Sequence, residues 1–215
     1  MQLTWKGQSC FEISSSQGKD NRVTIVIDPF DEDTGLRLPK LEADVLLITH
    51  QHHDHNNKKA VSGNPFLIDG PGEYEVKGVF IQGVQASHGV SGEKDQNTIY
   101  TINVEDLKIC HLGDLGQKEL TPEQVEQIGE VDILLIPVGG VSTISAKEAV
   151  KIMSQIEPSI IIPMHYQIPK LKIKLEGLDK FLKTMGMKSV TPLEKLTIKK
   201  KDIISEEAKI VVLNP

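Results

Sequence analysis

A mixed α+β architecture is what the sequence predicts, and three features predict it. Short β-branched segments follow one another through the first half of the chain. Well-signalled helices enter only in the second half. Several apolar runs have strand length and near-continuous hydrophobicity, as in sheets covered on both faces. Two sheets between outer helices fit this order, as do other α/β and α+β packings. The 215 residues are 39% hydrophobic, enough to build one substantial core, and no linker or repeat divides them. A single domain over residues 1–215 is expected.

The elements follow in order. RVTIVIDP (22–29) is β-branched and stops at Asp-Pro, and ADVLLITH (43–50) is an apolar run of strand length. NPFLIDG, GVFIQGVQASH, NTIYTINV and LKICHLGD read as further short strands separated by turn residues. VDILLIPV (131–138) and SIIIPMH (159–165) are two more buried strands. Thr121-Pro122-Glu123-Gln124 offers an N-cap, a proline at the first helical position and a capping-box glutamine. Ser145 and Glu148 form a second capping box, behind which Ala146, Ala149, Val150, Met153 and Ile156 make one apolar stripe that Pro158 closes. A third helix is expected over 176–185, ending near Gly186, and LTIKK and KIVVLNP return to strand character.

Composition excludes several classes. With 24 Lys/Arg against 30 Asp/Glu the net charge is −6, too small for wholesale disorder and opposite to that of a basic nucleic-acid binder. No apolar run approaches the ~18 residues of a membrane span, and MQLTWKGQSCFEI lacks the basic and apolar regions of a secretory signal. Cys10 and Cys110 cannot make a disulfide scaffold. A reduced, cytoplasmic, soluble protein is the expectation. Charge is uneven: residues 1–165 carry 13 Lys/Arg against 24 Asp/Glu, and residues 166–215 carry 11 against 6. Lys170, Lys172, Lys174 and the run Lys199, Lys200, Lys201 form either a solvated surface or a rim that attracts an anionic substrate.

The informative segment is Thr49-His50-Gln51-His52-His53-Asp54-His55-Asn56. Four of seven histidines lie within six residues, just past an apolar strand, where loops carry function. His50, His52 and Asp54 alternate, so an extended segment sends them to one side, while His55 points elsewhere. One cation cannot easily use all four groups of so short a loop. Two can, with His50 and His52 on one and Asp54 and His55 on the other. Three more donors stand at strand ends: His88 in QASHGVSG, Asp114 in HLGDLG and His165 in IPMHYQ.

HQHHDH matches the HxHxDH signature, and the chain thereby resembles the metallo-β-lactamase superfamily. Asp28 in VIDP, then His88, Asp114 and His165 follow the superfamily's landmarks in order. GPGEYEVKG, HLGDLG, LLIPVGG and IPMHY are similar to a small bacterial and archaeal branch near L-ascorbate-6-phosphate lactonase. The resemblance implies a four-layer αββα sandwich with a binuclear metal site at one edge. It implies that His50, His52 and His88 bind one metal, that Asp54, His55 and His165 bind the other, and that Asp114 bridges both. Asp54 is also the residue assigned to catalysis, and Asp28 becomes a carboxylate that orients ligands. His53 is surplus to the signature. His111, alternating with Cys110 and Leu112, reads as a core or ligand-supporting histidine, and Cys110 as a packing residue.

Two divalent ions so held present hydroxide at neutral pH and polarise a carbonyl or phosphoryl oxygen. Zn²⁺ suits imidazole and carboxylate best, with Mn²⁺ or Fe²⁺ as alternatives. The expected activity is hydrolysis of a small-molecule ester, lactone or phosphoester, the substrate being anionic if the basic segment serves it. A phosphodiesterase or nuclease is the first alternative, weakened by overall acidity. A di-iron redox protein or a non-catalytic metal-binding protein are the others. Gly139, Gly140, Thr143 and Tyr166 are candidate substrate contacts, each with a plain turn or packing role as the competing reading. Trp5, Phe11 and Phe30 read as core aromatics. No membrane partner is expected, and association with further copies is left open.

Overall fold

The computed structural model describes residues 1–16, 22–89, 96–203 and 208–215. Along the chain it places β1 (Gln2–Gly7), β2 (Cys10–Ser16), β3 (Arg22–Ile27), β4 (Leu41–Glu42), β5 (Val45–Leu47), β6 (Val61–Ser62), β7 (Phe66–Ile68), β8 (Gly72–Val76), β9 (Val79–Ser87), β10 (Gln96–Val104) and β11 (Leu107–His111). Then come α1 (Pro122–Ile128), β12 (Ile133–Pro137), α2 (Ala146–Ile156), β13 (Ile160–Met164), α3 (Leu178–Thr184), β14 (Leu196–Thr197) and β15 (Lys209–Ile210).

Two sheets form the sandwich, in the orders β14-β1-β2-β3-β5-β7 and β15-β13-β12-β11-β10-β9-β8. Leu3, Trp5, Phe11 and Ile27 of the first face Ile81, Ile99, Ile109 and Leu135 of the second in one fully buried core. The outer face of the first sheet buries Cys10, Val26, Leu46 and Ile48 beneath Phe30, Leu41 and Val61, from the segment after β3 and from β4 and β6. The helices form a contiguous layer, α1 touching β9 and α2, and α2 touching α3. This is the expected α+β sandwich.

Both capping boxes are made. Thr121 and Gln124 reciprocate at α1, as do Ser145 and Glu148 at α2. The buried stripe of α2 differs from the expected one by a residue: it is Ala146, Ala149, Ile152, Met153 and Ile156, with Val150 half-buried. At about 100° per residue Ile152 falls between Ala149 and Ile156, while Val150 turns off to the flank. The expected strand over 43–50 pairs only over Val45–Leu47. It ends where the Thr49 N–H leaves the sheet and donates to Asp28 Oδ1 at 2.8 Å.

Strand direction positions the site. β9 and β11 both run antiparallel to β10, and β12 and β13 pair parallel to β11. Four carboxyl ends therefore share one rim, and His88, Gly113-Asp114, Gly139 and His165 emerge from them. In the other sheet β5 is parallel to β3, so Asp28 and the His50 loop leave together. Loops at such carboxyl ends are where α/β sheets place ligands.

Candidate metal centre

The rim brings all seven expected donors together. Ligand atoms of His50, His52 and His88 lie within 4.8 Å of one another, as do those of Asp54, His55 and His165. The two groups touch, with the His50 and His55 rings 4.1 Å apart. Asp114 stands between them: Oδ2 is 3.2 Å from His88 Nδ1 and Oδ1 is 3.8 Å from His165 Nδ1. Six of the seven residues are buried, and His52 is exposed at the mouth.

Hydrogen bonds behind the rings settle which nitrogen faces the centre. Thr49 Oγ1 donates to Asp28 Oδ2 at 2.6 Å, so at 3.0 Å from His50 Nδ1 it accepts, and that ring carries its proton on Nδ1. His55 Nδ1 donates to Asp28 Oδ2 at 2.9 Å, and His88 Nδ1 donates to the Asp114 carbonyl at 2.7 Å. Three Nε2 atoms are thereby turned inward, the arrangement that outer partners impose on metal-binding histidines. Asp28, fully buried and in the left-handed region at φ 46°, has the orienting place the sequence suggests.

The inward atoms have no other use. His50 Nε2, His55 Nε2, Asp114 Oδ1 and both ring nitrogens of His165 are buried without a hydrogen-bond partner among the described residues. Polar atoms taken from water at one point and left unpaired are costly, and a cation satisfies all of them at once. The donor set therefore fits a transition metal, imidazole and carboxylate suiting Zn²⁺ among others.

Electrostatics of the metal-free centre agree. Burial, then the imidazoles of His55, His88 and His52, hold His50 well below the ordinary imidazole range. Burial favours protonated Asp54, but His165 and His55 outweigh it and keep the acid ionised. Burial would also lower His55, yet the carboxylates of Asp28 and Asp54 prevail and raise it to about 10. Below that pH the metal-free ring is an imidazolium, and coordination at Nε2 must displace its proton. Metal uptake near neutral pH is expected to release about one proton from this ring, and affinity is expected to rise with pH until about 10. Calorimetric titration in buffers of different ionisation enthalpy counts the protons; uptake that releases none would remove His55 from the ligand set.

Two glycines let backbone approach the centre. A Cβ on Gly116 would stand 1.7 Å from the His88 carbonyl oxygen, and one on Gly139 2.2 Å from that of His165. Gly139 is therefore a packing requirement of the His165 turn. Gly140 and Thr143 form a turn: Gly140 N–H donates to Ile144 O at 3.2 Å and Thr143 Oγ1 to Leu115 O at 2.8 Å. Tyr166 is buried with its ring 5.0 Å from that of Trp5, a packing role. His111 donates from Nε2 to Ser9 O at 2.9 Å, accepts from Gly113 N–H at Nδ1, and stays in the core. His53 is exposed. Sequence reasoning missed Thr49 and Asn97. Asn97, fully buried, accepts the Asp114 N–H at 3.2 Å and donates to Leu112 O at 2.9 Å, setting the loop that carries Asp114. Thr49 adjoins the signature, a signal that could have found it; Asn97 carries none.

Among the described residues no helix is long and apolar enough to cross a membrane. A family model described as "Beta-lactamase superfamily domain" matches residues 2–165. A UPF0173 metal-dependent hydrolase of Thermoplasma volcanium is 34% identical over 200 residues, spanning 77% of this chain and 83% of that one. A UPF0173 protein of Pyrococcus abyssi is 32% identical over 185 residues, with the same coverage. A solved structure from Thermotoga maritima, described as a candidate Zn-dependent hydrolase of the metallo-β-lactamase superfamily, is 40% identical. It covers 99% of this chain and 97% of its own, with a TM-score of 0.79. The chain belongs to the metallo-β-lactamase superfamily, and within it to the UPF0173 metal-dependent hydrolases.

Proposed function

We propose that the protein hydrolyses a small-molecule ester, lactone or phosphoester with two divalent cations. The observation that carries this reading is the pair of donor triads, His50/His52/His88 and Asp54/His55/His165, with the Asp114 carboxylate near a member of each. Bound there, two cations supply a water of lowered pKa and positive charge for the substrate oxygen. Zn²⁺ is the first candidate, with Mn²⁺ and Fe²⁺ behind it.

The chain's own groups do the rest. Asp54 Oδ2, ionised and 12% exposed at its side chain, is the acceptor that holds the proton of an attacking water. A cavity of about 310 Å³ opens beside the centre, lined by His50, His52, Gln51, Asp69, Gln96 and Thr98, and its size suits a small polar molecule. A larger groove of about 1020 Å³, against Ile160, Met185, Ile198 and Ile210, lies away from the donors and is mainly apolar. The segment after His165 bears exposed Lys170, Lys172 and Lys174, none in an ion pair among the described residues. Lys172 N–H donates to Thr34 O at 2.8 Å, tying that segment to the loop after β3. These lysines favour an anionic substrate, and a phosphorylated lactone of the kind the sequence motifs suggest is the first to try.

The test is a screen of bis(p-nitrophenyl) phosphate, lactones and thioesters, before and after chelation and at low and high salt. Hydrolysis is expected to vanish on chelation and return with Zn²⁺ or Mn²⁺. For the anionic substrate kcat/KM should fall as salt rises. Activity indifferent to chelation would overturn the mechanism, and bound iron with a visible charge-transfer band would favour the di-iron redox reading instead.

A further inference from the structure

We infer that Gln8, in the turn between β1 and β2, is a positioning residue for the Asp54/His55/His165 ligand set. The inference rests on the two-cation reading above. Gln8 lies far from the signature in sequence, yet its side chain is fully buried against the centre. Its amide Nε2 donates to Asp54 Oδ2 at 3.4 Å. Its backbone carbonyl accepts the His165 N–H at 3.1 Å and Trp5 Nε1–H at 2.8 Å. One residue thus grips two members of one triad, by side chain and by backbone. The grip on His165 matters because that residue sits in the left-handed region at φ 50°, a conformation its surroundings must impose.

Folding alone does not account for a glutamine here. Gln8 is itself left-handed at φ 50°, where glycine or asparagine is less strained. Its Oε1 is buried with no hydrogen-bond partner among the described residues. A residue strained in its backbone and half-satisfied in its amide is a poor choice for packing. Only the end facing Asp54 has a task. That amide N–H fixes which way the carboxylate turns and leaves its other lone pairs to the cation, the function of an outer hydrogen bond to a ligand. The backbone contact to His165 survives any substitution, so a side-chain variant isolates the Asp54 contact.

The experiment titrates metal-free protein with Zn²⁺ against a chromophoric chelator, and with Co²⁺ read by its d–d absorption, in wild type, Gln8→Met and Gln8→Asn. Met keeps the length and loses the donor. Asn tolerates the left-handed backbone but is too short to reach Asp54. Wild type is read first: failure to take up two equivalents contradicts the two-cation reading, independently of Gln8. Given two equivalents, both variants are expected to bind one of them about 10–100-fold more weakly and the other unchanged. The Co²⁺ spectrum should change for the weakened site only. If Gln8→Met does not fold, Gln8→Asn gives the same measurement. Equal weakening of both equivalents, tracking a lower Tm of the metal-free protein, would mean a purely structural residue and overturn the inference. Unchanged affinity for both would overturn it as well.

Discussion

Asp114→Ala is expected to keep the fold, to lose bound metal, and to lower hydrolysis by more than about 100-fold. The lesion is confined to the carboxylate. The backbone carbonyl of Asp114 still accepts His88 Nδ1, and its N–H still reaches Asn97 Oδ1. What disappears is the single side chain that faces a histidine of each triad. Asp114 is 3% exposed, and its Oδ1 has no hydrogen-bond partner among the described residues. Removing an uncompensated buried charge does not destabilise a metal-free protein, so its Tm should not fall. Elemental analysis, circular dichroism and rates under one buffer condition separate these effects. Full metal content with full activity in Asp114→Ala would remove it from the centre.

Most of the fold was legible because each strand is an apolar run bounded by turn residues, and because the capping boxes at Thr121 and Ser145 are local signals. The donors were legible for a related reason. His50, His52, Asp54 and His55 are adjacent in the chain, and the three later ones stand where strands end. The supporting residues were not. Asn97 opens a strand like any other polar residue, and it reaches Asp114 only because β10 lies beside β11 in the sheet. Gln8 reaches Asp54 only because the first hairpin folds over the rim. A metal ligand is chosen from few residue types, whereas any donor or acceptor can orient it. The exchange of Val150 for Ile152 in α2 is a smaller case, a stripe read one position off its true centre.

Asp28 is the orienting residue whose loss should cost most. Its carboxylate accepts three buried hydrogen bonds, from Thr49 N–H at 2.8 Å, Thr49 Oγ1 at 2.6 Å and His55 Nδ1 at 2.9 Å. Asp28→Ala strands all three donors, at about 1–3 kcal/mol each, and places alanine at φ 46°. A loss of about 3–5 kcal/mol is expected by urea denaturation, a large share of a typical domain's stability. Asp28→Asn separates fold from function. Asparagine accepts the left-handed backbone and keeps the shape, but its one oxygen cannot serve donors on both sides. Either the amide NH₂ opposes Thr49 N–H, or it faces the Thr49 hydroxyl and His55 and drives the imidazole proton to Nε2, where the cation must bind. The stability loss should therefore be smaller, while metal affinity falls about 10–100-fold. Proton release follows with a definite sign. Asp28 is the strongest influence raising His55, so without its charge the pKa drops from about 10, the ring carries less proton near neutrality, and metal uptake there releases less. Unchanged metal affinity together with unchanged proton release in Asp28→Asn would show that His55 takes its orientation from elsewhere.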